Sequence, residues 1–159
     1  MTEIRPFAAS DIPAIKVLLA ELQAVEAVFQ PRRKSAPEVA AEELWAEGKK
    51  MVDEGKGVVL VAEQGGQLIG VGIGYETVSG DLSLTLEARR TGYVSDLVVH
   101  EAWRGKGVGR DLLNGLLARF RARGLKTARI GAISENVGAI KLYERMGFSQ
   151  VSVAMERPL

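Results

Sequence analysis

The apolar positions of this chain change period several times, and each change marks an element. Glu3 to Phe7 has the length of a short first strand. Ile12, Ile15, Leu19 and Leu22 then recur on one helical face, with Ser10 placed to cap the helix and Pro13 tolerated in its first turn. Pro31 and the Arg32-Arg33-Lys34 run break that pattern, and Ser35-x-x-Glu38 has the form of a capping box opening a second helix that Gly55 ends. Gly57 to Glu63 and Leu68 to Val78, joined by Gln64-Gly65-Gly66-Gln67, predict a hairpin. In its second strand Gly70, Gly72 and Gly74 alternate with Val71, Ile73 and Tyr75, so one face is bare. A bare face is either the floor of a substrate groove or the seat of a closely packed helix. Ser79 to Gly92 is the least patterned stretch, with extra strand character at Leu82, Leu84 and Leu86.

The second half has sharper signals. Tyr93 to His100 is rich in apolar and β-branched residues and reads as a largely buried strand. Arg104-Gly105-Lys106-Gly107-Val108-Gly109 follows, and Leu112, Leu113, Leu116, Leu117 and Phe120 then fall at helical spacing. Glycines at a helix start let the backbone approach a ligand, and the first-turn N–H groups point outward with the positive end of the helix dipole behind them. That combination suits a phosphate, and Arg104, Lys106 and Arg110 add charge around it. Two named phosphate motifs nevertheless fail. No Gly-Lys pair is followed by Ser or Thr, as a P-loop requires, and Gly105-x-Gly107 is followed by Val108, Gly109 and Arg110 where a dinucleotide fingerprint needs x-x-G.

What the loop does match is [Q/R]-x-x-G-x-[G/A], as Arg104-x-x-Gly107-x-Gly109 directly after a strand. This resembles the acetyl-CoA pyrophosphate loop of GNAT-type N-acetyltransferases. Downstream of the breaker Gly124, the apolar strand Thr127 to Ile133 leads to Asn136-x-x-Ala139-x-x-x-Tyr143-x-x-x-Gly147-Phe148, which is similar to a second signature of that family. Each part also has a local reason. Asn136 suits a helix start, Gly147 with Phe148 suits a left-handed C-terminal cap, and Tyr143 lies about two turns after Asn136 on one face.

The resemblance implies an α/β fold, with a mixed, mainly antiparallel sheet flanked by helices on both faces and a single domain over residues 1–159. It implies an acetyl-CoA-dependent N-acetyltransferase that moves an acetyl group to an amine of a small molecule or peptide by direct transfer in a ternary complex, without a metal. By the same resemblance, Leu97, Val98 and Val99 pair with the pantetheine arm where the strands splay apart. Arg104, Gly105, Lys106, Gly107, Val108 and Gly109 hold the pyrophosphate. Asn136 contacts the pantetheine arm, and Tyr143 is the general acid beside the sulfur. A homodimer is in keeping with the family. The alternative on the same fold is a non-catalytic acyl-CoA-binding or regulatory module.

The general base is left open. Some family members carry a glutamate on the fourth strand, six residues before the last pantetheine-pairing residue, and that position is Tyr93. Strand alternation puts Asp96 on the opposite face from Tyr93, Ser95, Leu97 and Val99. His100 sits at the strand end as a turn histidine, Glu21, Glu26 and Glu76 read as surface charges, and a water chain serves equally well. Acceptor specificity is expected in Val25 to Lys34, the bare-glycine hairpin and Ser79 to Gly92. The Arg89-Arg90 pair would attract an acidic acceptor or simply keep a surface charged.

Composition narrows the setting. A chain of 159 residues can bury roughly two-thirds of its unfolded surface. A net charge of +1 argues against a nucleic-acid partner, and zero cysteines with one histidine exclude thiolate or multi-histidine metal chemistry and fit a reducing compartment. No apolar run approaches a membrane span, and the first residues lack a signal-peptide core. The expectation is a soluble cytoplasmic protein with no membrane partner.

Overall fold

The computed structural model describes residues 1–30, 32–33 and 36–159. Five strands lie in the order of the chain: β1 Glu3–Pro6, β2 Gly57–Gln64, β3 Gln67–Val78, β4 Arg90–Val99 and β5 Ala128–Ile130. The first four pair antiparallel, and β4 pairs β5 in parallel. Five helices complete the order: α1 Ile12–Phe29, α2 Pro37–Asp53, a single turn α3 Leu86–Arg89, α4 Val108–Ala122 and α5 Val137–Arg145. This is the mixed, mainly antiparallel sheet with helices on both faces that the family resemblance implies.

Two apolar layers sandwich the sheet. On one face Ile15, Leu18 and Leu19 of α1 and Ala41 and Trp45 of α2 bury Val59, Val61, Val71, Ile73 and Val98. On the other, Leu112, Leu113, Leu116 and Phe120 of α4 bury Leu60, Ala62, Ile69 and Val94. The bare glycine face belongs to this second layer and is a helix seat, not a groove floor. A Cβ on Gly70 would meet Leu112 at 3.0 Å, one on Gly72 would meet Leu116 at 3.1 Å, and one on Gly74 would meet Phe120 at 2.7 Å. Spaced two apart on a strand, the three glycines match side chains four apart on a helix, so α4 lies directly on the backbone of β3.

Three local expectations need correction. The turn before α1 is closed by Asp11, not Ser10: the buried Asp11 carboxylate accepts from the Ala8 N–H at 2.7 Å and pairs with Arg5 at 2.7 Å. At α2 the cap position is Ala36 with Pro37 at the first helical position, while Ser35 lies outside the described residues. Pro31 and Lys34 of the expected break lie outside them too. Finally, Ser79 to Gly92 holds no strand at Leu82, Leu84 or Leu86. Asp81 accepts from both the N–H and the hydroxyl of Ser83, Thr85 caps α3 by accepting from the Ala88 N–H, and β4 begins early, at Arg90. Side-chain turn chemistry outweighed three spaced leucines there.

Candidate active site

The site is built where β4 loses its neighbour. Pairing with β5 covers only Gly92, Tyr93 and Val94, opposite Ala128, Arg129 and Ile130. β5 ends at Ile130, short of the expected Thr127 to Ile133, and among the described residues Leu97 to Val99 have no strand on that side. The His100 N–H bonds the Ile69 carbonyl of β3 at 2.9 Å, so by alternation Val98 also turns its N–H and C=O toward β3. Leu97 and Val99 then direct theirs into the gap. The Val99 carbonyl takes a hydrogen bond there from Nε of Arg104 at 2.9 Å.

Past β4, a 3₁₀ turn Glu101–Trp103 is capped by His100, whose Nδ1 accepts from the Ala102 N–H at 3.2 Å. This is the turn role expected of His100. Gly105 (φ 75°) and Gly107 (φ 88°) then lie in the left-handed region, where a side chain would be strained. Gly107 caps α4, so the amides of Val108, Gly109 and Arg110 are first-turn donors without intrahelical acceptors. The Val108 side chain is buried in the α4 layer, which fixes the loop onto the sheet. Around this loop Lys106 lies over the Trp103 ring at 4.7 Å, and Arg110 pairs with Asp111 at 3.0 Å. Arg104 is engaged on both sides: besides Val99 it pairs with Glu21 of α1 at 3.1 Å, and Glu21 also accepts the Glu101 N–H at 2.9 Å.

The far wall is α5. Asn136 accepts the Ala139 N–H at 3.2 Å, a true N-cap. At the other end Gly147 (φ 89°) closes a Schellman turn, with the Phe148 N–H bonded to the Tyr143 carbonyl at 3.0 Å and the Gly147 N–H to the Glu144 carbonyl at 3.0 Å. That turn swings Phe148 against the Tyr143 ring, with centroids 6.2 Å apart. Asn136 and Tyr143 thus line one cavity of about 80 Å³ between β4 and β5, together with Leu22, Glu26, Ser95, Asp96 and Leu97. Burial, with some help from Glu26, pushes the Tyr143 hydroxyl up to about 12.

Asp96 faces away from Leu97 and Val99, as alternation predicts, but its relation to Tyr93 needs correction. Val94 and Leu97 both pack on the α4 side, although they are an odd three positions apart. The register explains this: Ile73 pairs Asp96 and Gly74 pairs Val94, so Ser95 is an extra residue in a β-bulge. The bulge restores Asp96 to the same face as Tyr93, the α1/α2 side, and Tyr75 joins them with its ring 5.7 Å from that of Tyr93. For Tyr93 strand alternation alone predicted the opposite, whereas for Leu97 and Val99 it holds. The remaining candidates are occupied: Glu26 pairs with Arg33 at 2.8 Å, Glu76 with Arg90 at 2.8 Å, and Arg89 donates to the Ser79 carbonyl at 2.7 Å. Among the described residues, no group of three or more His, Cys, Asp or Glu could hold a metal ion, and no helix is long and apolar enough to cross a membrane.

Residues 20–148 match the Acetyltransferase (GNAT) family. The chain belongs to that family. Among curated relatives, an uncharacterised N-acetyltransferase of Methanocaldococcus jannaschii is 31% identical over 68 residues, 43% of this chain and 30% of the relative. A [ribosomal protein bS18]-alanine N-acetyltransferase of Haemophilus ducreyi is 33% identical over 58 residues, 36% of this chain and 40% of the relative. Such matches span less than half the length of these relatives. Solved structures agree on the fold across the whole chain. A tetramutant of a Bacillus halodurans protein has a TM-score of 0.84 at 21% identity over 99% of both chains. AAC(6')-Iy, solved with a bisubstrate analogue of CoA, has a TM-score of 0.72 at 14% identity over 100% of this chain and 99% of that one.

Proposed function

We propose that this GNAT-family chain is a single-domain, acetyl-CoA-dependent N-acetyltransferase that transfers the acetyl group directly to an amine of a small molecule or peptide. The observation that carries this reading is the gap beyond Val94 and Ile130, with Asn136 and Tyr143 in its wall and the glycine-rich helix start next to it, where Gly109 lies beside Val99 and Leu142. The residues present fit the donor. Gly105 has open space where a Cβ would stand, and the amides at the start of α4 have no helical acceptors, as an anionic pyrophosphate needs. Arg104, Gly105, Lys106, Gly107, Val108 and Gly109 would hold that pyrophosphate, while Leu97 and Val99 would pair with the pantetheine arm and Val98 would anchor the strand between them. Asn136 would contact the arm while still capping α5.

Bound acetyl-CoA supplies an activated thioester. The chain's own contribution is to align the amine, to remove its proton and to protonate the departing sulfur. A lysine-like amine must lose its proton, which at pH 7 costs about 4.6 kcal/mol. Tyr143 suits the role of acid because its hydroxyl, held in a desolvated wall, keeps its proton throughout the neutral range. Relatives and neighbours carry different acceptors in their names, so the acceptor here is defined only as an amine.

Two measurements test the reading. Calorimetric titration with acetyl-CoA, using ATP and NAD as controls, is expected to show selective binding that weakens in Arg104→Ala. Thiol release over a panel of amines is expected to show turnover that Tyr143→Phe cuts by about 100-fold with binding retained. Binding without turnover for any amine would instead favour a non-catalytic acyl-CoA module.

A further inference from the structure

The bulge at Ser95 gathers groups that strand alternation would have kept apart. Asp96 is only 7% exposed, yet it lines the cavity that Tyr143 and Asn136 also line. Tyr143 packs with the α4 layer, and Asp96 sits on the α1/α2 side, so the two reach the gap from opposite faces of the sheet. Every element around Asp96 contributes a neighbour: Glu26 from α1, Glu47 from α2, Arg33 from the segment after α1, Tyr75 from β3, and Ser95 and Tyr93 from β4. Glu26 is held by Arg33 and Glu47 by the Tyr75 hydroxyl. Among the described residues Asp96 has no ion-pair partner.

We infer that Asp96 is the base that takes the proton from the acceptor's ammonium, an assignment that rests on the acetyl-transfer reading above. The protons balance. The ammonium N–H bond breaks, its proton passes to a carboxylate oxygen of Asp96, and the electron pair left on nitrogen forms the new C–N bond as the C–S bond breaks. Tyr143 gives the sulfur its proton and is made whole by the second proton that the nitrogen sheds. Asp96 then returns its proton to solvent, so one ammonium and one thioester give one amide, one thiol and one proton. Burial first, and the carboxylates of Glu26 and Glu47 after it, raise the Asp96 carboxyl to about 6, against the opposing pull of Ser95 and Arg33. A base tuned near the working pH is ionised enough to act and basic enough to be useful. The site lies on the face opposite the glycine-rich loop, so the amine would enter from the α1/α2 side.

The test is the pH profile of kcat at saturating amine, measured on the intact protein. The wild type is expected to rise with unit slope through about 6 and then level. Asp96→Asn should lose that limb and about 100-fold in kcat, with acetyl-CoA binding unchanged by calorimetry. Asp96→Glu should recover part of the rate with the limb displaced. An Asp96→Asn variant that keeps both the limb and a rate within a few-fold of wild type overturns the assignment while leaving the acetyl-transfer reading intact. Should that variant fail to fold, a folded Asp96→Glu variant with an unmoved limb overturns it as well. No turnover by the wild type with any amine overturns both.

Discussion

The two faces of the sheet are built by opposite rules. Toward α4 the strands offer glycines and apolar side chains, and the helix answers with Leu112, Leu116 and Phe120 at regular spacing. Toward α1 and α2 the outer part is just as apolar, but near the gap it turns polar, with Tyr75, Tyr93, Asp96, Glu26 and Glu47 in one neighbourhood. The α4 face is built for packing and fixes the glycine-rich loop onto the sheet. The other face keeps a carboxylate out of water where stability alone would place a hydrocarbon. On the proposed reading, stability and chemistry are divided between the two sides of one strand, β4, and substitutions on each side should move different observables.

The largest effect should come from the packing face. The Phe120 ring fills the space over both Gly74 and Gly92, and removing it leaves a cavity that two glycines cannot shrink into. Phe120→Ala is expected to cost about 3–5 kcal/mol in urea unfolding. On the polar face the sign reverses. Asp96 has a folded-state carboxyl pKa raised to about 6, so whatever stability the protonated form lends is present below about 4 and lost as pH rises through 6. Asp96→Asn should thus stabilise the fold by up to about 3 kcal/mol at pH 7.5, with the gain fading toward pH 4. Thermal melts of both proteins across that range would check it, and an equal difference at every pH would mean that the carboxyl is not desolvated. A smaller cost returns on the packing face with Gly92→Ala. The added methyl would collide with the Phe120 ring, and about 1–3 kcal/mol is expected as the ring is forced aside.

How legible each face was follows from the range of the interactions that make it. The hairpin, α4, the glycine loop and both caps of α5 are local, so Gly65, Gly107, Asn136 and Gly147 could be read from neighbours within a few residues. The gap between β4 and β5 came through resemblance, since nothing in Leu97 to Val99 itself announces a missing neighbour. That Asp96 shares a face with Tyr93 could not be read, although alternation rightly set it opposite Leu97 and Val99. A bulge inserts one residue without any mark in Val94-Ser95-Asp96-Leu97, and its existence depends on the register with β3, twenty residues away. In Ser79 to Gly92 the side chains of Asp81, Ser83 and Thr85 make local turn and cap hydrogen bonds, a signal that the spacing of the leucines does not carry.

The smallest expected effect joins the two faces, through Glu21. This α1 carboxylate holds the Arg104 guanidinium, which also occupies the Val99 carbonyl at the edge of the gap. Glu21 on Nη2 therefore competes with a phosphate for the same guanidinium. The pair is partly exposed, with side-chain exposures of 45% and 23%, and such pairs are worth only about 0.2–1 kcal/mol. Glu21→Gln should therefore tighten acetyl-CoA binding by at most about five-fold, since 1.4 kcal/mol is tenfold. The gain should shrink as salt is raised, because the pair is screened. In an Arg104→Ala background the same substitution should change nothing, which a four-protein calorimetric cycle would read directly. A gain that persists without Arg104 would mean that Glu21 repels the donor by its charge alone, and the two faces would then be coupled by long-range electrostatics with no need for a shared side chain.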